Sequence, residues 1–197
     1  MATNIIGRGL SGVLKYTKTK AGEDGLKEIL HKLSEEDRAI FSDKINPAGW
    51  YPFKTYVNLL IIVDKELGNG DLSLCKDMGQ WSAEKDLEAV YKIFTDDTFK
   101  DLNILKTAPH VMWQGYYDQG NMVFPELPKT DYIESIKARI VDFPDAAKPS
   151  CRLLEGWIEK AVNIISGNRI RGIVTEVKCR IDGHEYCEYL WETKYAV

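Results

Sequence analysis

Three residues with metal-binding side chains flank an Asp-Gly turn signal near the C-terminus. Glu176 and Cys179 precede Asp182-Gly183, and Cys187 follows it. Thiolates and carboxylates are the donors that zinc takes in structural sites, with Zn–S distances of about 2.3 Å. If residues 182–184 form a three-residue hairpin loop, Cys179 lies opposite Cys187. The two sulfurs can then share a tetrahedral ion or form a disulfide.

Glu176 joins this pair only if the strand is irregular. A regular strand alternates its side chains, so a residue three positions from Cys179 points to the opposite face. A bulge, a strong twist or a late strand start removes the conflict, and Gly172 with the β-branched run after it is compatible with irregularity. From these residues alone, a metal site, a disulfide and a pair of reduced core thiols all stay open.

Composition indicates one acidic globular domain. The 197 residues are 44% apolar, which suits a single buried core, and we expect one domain over residues 1–197. A net charge of -4 gives no basic field for phosphates, so direct nucleic-acid binding is not expected. No apolar stretch is long enough for a membrane span. Four cysteines are too few for a secreted disulfide scaffold, and we expect a cytoplasmic, reducing compartment that favours metal-thiolate chemistry.

The periodicity of apolar residues divides the chain into two parts. Residues 1–117 are mainly helical, with one helix bounded by Pro52 and Gly68. Residues 118–197 alternate as strands and contain one helix, whose apolar stripe ends at Gly167. This order predicts an α+β fold: a helical N-terminal half, an antiparallel sheet of about four strands packed by helices, a C-terminal helix and a terminal β-hairpin.

Other candidate motifs are weaker. GRGLSG at 7–12 has dinucleotide-site spacing, but six residues precede it and helices follow, so its glycines predict close packing or a helix start. The three histidines form no metal-binding pair. His31 and His184 are expected in solvent, and His110 is expected either in an apolar pocket or as a satisfied structural residue. No nucleophile elbow or phosphate loop is present in the sequence, so no catalytic residue is predicted.

Aromatic residues provide candidate walls for a ligand cavity. They end one predicted helix and recur in the last helix and strand, and apolar cavities need such large side chains. The alternative is an ordinary filled core. The candidate pocket residues are His110, Trp113, Tyr116, Phe143, Trp157 and Val174.

The C-terminal third resembles a known family. The segments SCRLLEGW, SGNR and EVKCRIDGHEYCEY, within residues 149–191, are similar to the C-terminal half of the 4-vinyl reductase domain. Its pattern is a cysteine followed by a glycine and an aromatic residue, a helix ending at glycine, and then Glu-x-x-Cys-x-x-x-Gly-x-x-x-Cys-aromatic, with the final aromatic residue one position later in this sequence. The matching residues are Cys151, Gly156, Trp157, Gly167, Glu176, Cys179, Gly183, Cys187 and Tyr189.

The resemblance implies a fold shared with haem nitric-oxide-binding domains, TRAPP-type Golgi transport subunits and small-molecule sensors. In phenol-sensing activators of this family, three cysteines and a glutamate bind a structural zinc, and the ligand set carries over to Cys151, Glu176, Cys179 and Cys187. The haem-binding branch uses a Tyr-x-Ser-x-Arg motif that this sequence lacks, so haem is disfavoured. Cys75 matches nothing and is expected to be a helix thiol.

Together these features predict a sensor or carrier domain, not an enzyme. It would bind a small apolar or aromatic molecule, contain a structural zinc, form a homodimer, and act in bacterial signalling through a partner protein in trans. One alternative is a dimeric interaction scaffold of the same fold, with a filled core and no ligand. A third is a haem- or tetrapyrrole-related protein.

Overall fold

The computed structural model describes residues 2–89, 108–126, 134–165 and 171–193. In chain order the elements are β1 (Asn4–Ile6), α1 (Gly7–His31), α2 (Glu35–Ile40), β2 (Trp50–Pro52), α3 (Phe53–Leu67), α4 (Ser73–Ala89), α5 (Ala108–Gln114), β3 (Asn121–Val123), β4 (Ser135–Val141), α6 (Lys148–Ile165), β5 (Gly172–Lys178) and β6 (Cys187–Thr193). The predicted α+β class is confirmed, with helices first and strands mostly after them. Residues 90–107, part of the half predicted to be mainly helical, lie outside the described residues. No described helix combines the length and apolarity that crossing a bilayer requires.

The main sheet has four antiparallel strands in the order β3-β4-β6-β5. In β4, Ile136, Ala138 and Ile140 are buried and alternate with more exposed residues, as the period-two pattern predicted. Strand β6 lies between β4 and β5, with Trp191 opposite both Ile136 and Val174. Helix α6 packs against α4 and against β5. The C-terminal helix is therefore held between the helical half and the sheet.

A second, two-stranded sheet lies in the part predicted to be helical. Strands β1 and β2 pair antiparallel, with Ile5 opposite Tyr51. Each strand has three residues, too few to show a period-two pattern in the sequence. A strand does therefore precede GRGLSG, but its pairing is antiparallel and makes no βαβ unit. A Cβ atom on Gly7 would lie 2.0 Å from the Asn46 carbonyl oxygen, which is the close packing predicted for this glycine.

Helices α4 and α6 touch backbone to backbone at two glycines. A Cβ on Gly79 would lie 1.8 Å from the Leu153 carbonyl oxygen, and a Cβ on Gly156 would lie 1.9 Å from the Lys76 carbonyl oxygen. Each distance is far below contact range, so no side chain fits at either position. The crossing fixes the position of α6 relative to α4.

A buried carboxylate holds α2 against α3. The side chain of Ser34 caps α2 by accepting the Asp37 N–H at 3.1 Å. The Asp37 carboxylate accepts the Thr55 hydroxyl at 2.6 Å and the Asn58 amide at 2.7 Å. Burial alone would raise the pKa of Asp37, but the hydrogen bonds from Thr55, Asn58 and Ser34 outweigh it, and the pKa is lowered.

We expect Asp37→Ala to lower the free energy of unfolding by about 2–3 kcal/mol at pH 7, because it removes a capping interaction and leaves buried donors unsatisfied. The folded pKa lies below the unfolded value of about 3.9, so the carboxylate stabilises the fold fully above that value. Its contribution falls as the pH drops through the folded pKa. Urea denaturation between pH 7 and pH 3 should show the difference from wild type shrinking at low pH, whereas exposed Glu36→Ala should show little difference at any pH. A pH-independent difference for Asp37→Ala would contradict this account.

Candidate metal centre and ligand cavity

Four potential metal ligands from three parts of the fold converge at one point. Cys151 lies in the first turn of α6, Glu176 lies in β5, Cys179 follows β5, and Cys187 begins β6. One ligand atom from each lies within 4.8 Å of all the others. The three cysteines are at most 4% exposed. These are the four residues that the sequence predicted as metal ligands.

The separations suit a tetrahedral ion. Two sulfurs that each lie about 2.3 Å from a tetrahedral zinc are about 3.8 Å apart. The Sγ atoms of Cys179 and Cys187 are 4.0 Å apart. All four cysteines of the chain are free thiols, so the disulfide alternative is not formed in this structure.

The hairpin differs from the predicted one. The three-residue loop at 182–184 is not formed, because β5 ends at Lys178, a 3-10 turn spans Arg180–Asp182, and β6 begins only at Cys187. Cys187 pairs with Ile140 of β4, and no ladder pair joins it to Cys179.

Two local features explain the change. The pairing of β5 with β6 shifts between Glu176 and Lys178, which is the strand irregularity that Glu176 needed to reach the thiols. Beyond it, the Cys179 carbonyl accepts the Asp182 and His184 N–H groups at 3.1 and 3.2 Å. Gly183 has φ 90° and ends the turn. The chain thus folds back over Cys179 and brings its sulfur to Cys187 without a regular hairpin loop.

Electrostatics in the cluster favour one thiolate. Hydrogen bonding with the Cys151 thiol lowers the pKa of Cys187 to about 7, despite burial, and the Arg180 N–H also contributes at 3.4 Å. The same hydrogen bond raises the pKa of Cys151, with burial adding to it, and burial raises the pKa of Cys179. A bound cation would stabilise the deprotonated form of all three thiols.

Glu176 and Lys148 complete the surroundings of the thiols. The Oε1 atom of Glu176 is buried and has no hydrogen-bond partner. Such an oxygen is costly unless it is protonated or binds a cation. The Lys148 ammonium lies 2.7 Å from Asp182 and 3.7 Å from the other Glu176 oxygen, at the edge of the site. The donor set therefore fits a metal ion of the zinc type.

A cavity of about 980 Å³ lies on the other side of α6. This volume is at the upper end of the range of about 300–1,000 Å³ for small-molecule sites. Helices α1, α4, α5 and α6 provide most of its walls. The aromatic residues among its described walls are Phe41, Tyr56, Trp81, Trp113, Tyr116, Tyr117 and Trp157.

The predicted pocket residues divide into two groups. Trp113, Tyr116 and Trp157 line the cavity. The other three lie elsewhere: Phe143 packs edge-on against Trp113 at 5.1 Å between ring centroids, Val174 is buried in β5, and His110 is exposed with Nδ1 2.8 Å from the Asn121 side-chain oxygen.

Sequence reasoning missed the walls contributed by α1 and α4. Arg8, Gly9, Ser11 and Gly12 of the GRGLSG motif line the cavity, with the two glycines on one helix face. Asp86 of α4 also lines it. The spacing of Gly9 and Gly12 puts both on one face of α1, so it would have indicated this wall had a helix been predicted there. No sequence signal pointed to Asp86, because an aspartate in a charged helix is ordinarily expected in solvent.

Asp86 belongs to a polar cluster in the cavity wall. Its Oδ2 accepts the indole N–H of Trp157 at 3.0 Å. Burial raises the pKa of Asp86, against the opposing effects of hydrogen bonds from Tyr116 and Trp157 and of the Arg8 charge. The Arg8 guanidinium stacks 4.6 Å from the centre of the Tyr116 ring.

Several solved structures have a fold similar to that of this chain. An H-NOX protein from S. oneidensis in the Fe(II)NO ligation state has a TM-score of 0.68 and 15% identity, covering 96% of this chain and 99% of that one. The Fe(II) unliganded H-NOX protein from K. algicida also has a TM-score of 0.68, with 14% identity, covering 100% and 98%. A structure determined to probe haem distortion in the H-NOX family has a TM-score of 0.62 and 14% identity, covering 97% of this chain and 96% of that one. The chain has the H-NOX fold. At this level of identity the likeness establishes the fold alone.

Two predictions are corrected by these comparisons. No family model matches the sequence, and no curated protein is significantly similar to it. The resemblance to the 4-vinyl reductase family is therefore unsupported, since the matching structures named above are H-NOX proteins; a TRAPP-type relation is equally unsupported. The prediction that haem is disfavoured was also wrong, because proteins of this fold include iron-containing and haem-containing ones. A missing Tyr-x-Ser-x-Arg motif in a chain of 14–15% identity does not set haem aside.

The described cavity walls do not match haem ligation by histidine. All three histidines of the chain lie in the described residues, and none lines the cavity. Burial raises the pKa of Tyr56 and Tyr117, so their hydroxyl groups stay protonated. The walls supply aromatic and aliphatic surface together with charged side chains of both signs: the carboxylates of Asp43, Asp86 and Glu88 and the cations of Arg8, Lys15, Lys44 and Lys85.

Proposed function

We propose that the protein is a small-molecule sensor or carrier domain that binds an apolar or aromatic ligand in the cavity between α1, α4, α5 and α6. The observation that supports this proposal most directly is the cavity of about 980 Å³ with its aromatic walls. A cleft of this size with aromatic walls is the usual form of a small-molecule site, and it is open to solvent at exposed residues such as Lys15 and Lys44. The whole chain would act as one domain.

The cysteine-glutamate cluster is proposed as a structural zinc site. Four protein ligands leave no open position on a tetrahedral ion, so the metal would hold parts of the fold together and would not activate water. Its support is the convergence of Cys151, Glu176, Cys179 and Cys187 within 4.8 Å and the unpartnered Glu176 oxygen. Zinc would tie α6 to the final hairpin.

Helix α6 connects the two proposed sites. Cys151 and Trp157 are six residues apart, which is about 9 Å along a helix. One end of α6 would thus be fixed by the metal, while the segment around Trp157 contacts the ligand. We propose that ligand binding changes how this helix and its surroundings present themselves to a partner protein, within a homodimer.

Native mass spectrometry of protein purified gently from cells tests the ligand proposal. We expect a recurring small-molecule adduct that is lost on denaturation, because burying an apolar ligand contributes about 25 cal/mol per Å² of surface removed from water. A stable dimer without any adduct would support the alternative of an interaction scaffold. That result would contradict the sensor proposal.

Haem is the second candidate ligand, favoured by the H-NOX structures that share the fold. Expression with added haem, followed by the absorption spectrum and the haem-to-protein ratio of the purified protein, tests it. A stoichiometric haem complex would identify the domain as a haem protein. A ratio near zero, with an organic adduct in the mass spectrum, would support the apolar-ligand proposal.

A further inference from the structure

The cavity is apolar over most of its walls, and Asp86, Tyr116 and Arg8 form a polar cluster on one of them. We infer that its ligand has an apolar body with a hydrogen-bond donor at one end, an amine or a hydroxyl, and that Asp86 accepts that hydrogen bond. The inference rests on the proposed ligand-binding function and specifies the chemical class of the ligand.

Asp86 has the capacity to accept a further hydrogen bond. A carboxylate offers about four lone-pair sites and no donor. Its Oδ2 receives the Trp157 indole N–H at 3.0 Å, and among the described residues the Tyr116 hydroxyl also donates to it. Asp86 itself lines the cavity, so a bound molecule can reach the carboxylate.

The negative charge of Asp86 determines which end group on the ligand binds most favourably. A ligand that ends in a carboxylate would place a second anion beside Asp86, which costs free energy; the Arg8 guanidinium also lines the cavity, interacts with Asp86 and lowers that cost. A ligand with no polar group would displace water from Asp86 and leave its lone pairs unmatched. A donor avoids both costs, and burial makes the hydrogen bond stronger than it would be in water.

The first turns of α1 make room for the apolar body. A Cβ atom on Gly12 would have one neighbour within 4 Å, the Ser82 hydroxyl oxygen at 3.9 Å, so open space adjoins the helix there. Gly9, one turn earlier, lines the same wall. The absence of a side chain at Gly12 therefore contributes to the width of the cavity, whereas a Cβ atom on Gly9 would lie 2.8 Å from the Ile5 side chain. A large side chain at Gly12 would project into the cavity without meeting backbone.

Equilibrium dialysis of the full chain with four matched naphthalenes tests the inference. The probes are 1-naphthol and 1-naphthylamine, which have a donor, 1-methylnaphthalene, which has none, and 1-naphthoate, which is an anion. Wild type should bind a donor probe about tenfold or more tightly than 1-methylnaphthalene, the ratio expected for one buried hydrogen bond. 1-Naphthoate should bind most weakly. The tighter of the two donor probes identifies an amine or a hydroxyl as the preferred group.

Two variants separate the inference from the proposed function. Asp86→Ala should bring the donor and methyl probes to nearly equal affinity, and Asp86→Asn keeps the shape should the alanine variant fold poorly. Gly12→Leu should weaken binding of all four probes about tenfold or more by filling the cavity. Equal binding of donor and methyl probes by wild type, abolished by Gly12→Leu, would overturn the inference and leave the proposed function intact. Absence of binding by every probe would count against both.

Discussion

Replacement of Cys187 by serine is expected to remove bound zinc and to lower the melting temperature by about 10 °C or more. Metal binding at a site that exists only in the folded state contributes directly to the free energy of unfolding, and its loss costs several kcal/mol. For a chain of this size, about 1 kcal/mol corresponds to about 2–4 °C. Cys187 begins β6, and its pKa is lowered. Because a thiolate is the form that binds a metal, serine here replaces the thiol that is most readily deprotonated.

Cys75→Ser is the matched control. Cys75 is also a fully buried thiol, but it lies in α4 and outside the cluster. Its replacement should cost some stability by burying a hydroxyl, while leaving one zinc per chain. Elemental analysis and thermal melts of both variants, with and without a chelator, measure the two effects. If Cys187→Ser retained its zinc, or if chelator left the wild-type melting temperature unchanged, the metal assignment would be wrong.

Gly156→Ala is expected to lower the free energy of unfolding by about 4 kcal/mol or more, or to prevent folding. The new methyl group would lie 1.9 Å from the Lys76 carbonyl oxygen and 3.1 Å from the Gln80 nitrogen. Both are backbone atoms of a helix, which move only if α4 and α6 separate. Overpacking of a core by a side chain costs about 1–3 kcal/mol where neighbouring side chains can adjust, and a clash with backbone costs more.

Gly12→Ala is the control for a helical glycine in open space. Alanine is more favourable than glycine in a helix interior by up to about 1 kcal/mol, so this variant should be as stable as wild type or slightly more stable. Denaturant melts of the two variants provide the comparison. A loss of less than about 1 kcal/mol for Gly156→Ala would mean that α4 and α6 do not cross in backbone contact, which would also remove the basis for placing Cys151 near the hairpin.

The elements that periodicity predicted best are long or strictly alternating. Helix α3 begins after Pro52 and ends before Gly68, as the proline and glycine signals indicated. Strand β4 shows the alternation of buried and exposed residues that its sequence predicted. In each case local preference and tertiary burial agree, so the sequence alone identifies the element.

Elements defined by pairing partners were not predictable. The three residues of β1 form a strand because Ile5 meets Tyr51, a contact between positions far apart in the sequence. The hairpin was predicted with the wrong loop because turn residues suggest a loop length but do not reveal a shift in pairing such as the one between Glu176 and Lys178. Both failures concern a few residues whose conformation depends on the rest of the fold.

The two sites differ in how far the sequence led to them. Spacing alone grouped Glu176, Cys179 and Cys187, whereas Cys151 entered through a resemblance that the comparisons do not support; the geometry now provides an independent reason to include it. Three of the six predicted pocket residues, Trp113, Tyr116 and Trp157, line the cavity. Asp86 was missed because its role depends on helix packing that no local pattern reveals.

The absorption spectrum at the zinc K edge of the protein as purified is the most direct test of the proposed metal centre, which would tie α6 to the final hairpin. The account predicts one zinc per chain with three sulfur neighbours at about 2.3 Å and one oxygen at about 2.0–2.2 Å. Zinc surrounded by nitrogen and oxygen neighbours alone, or protein without zinc whose melting temperature does not rise on adding it, would contradict the account.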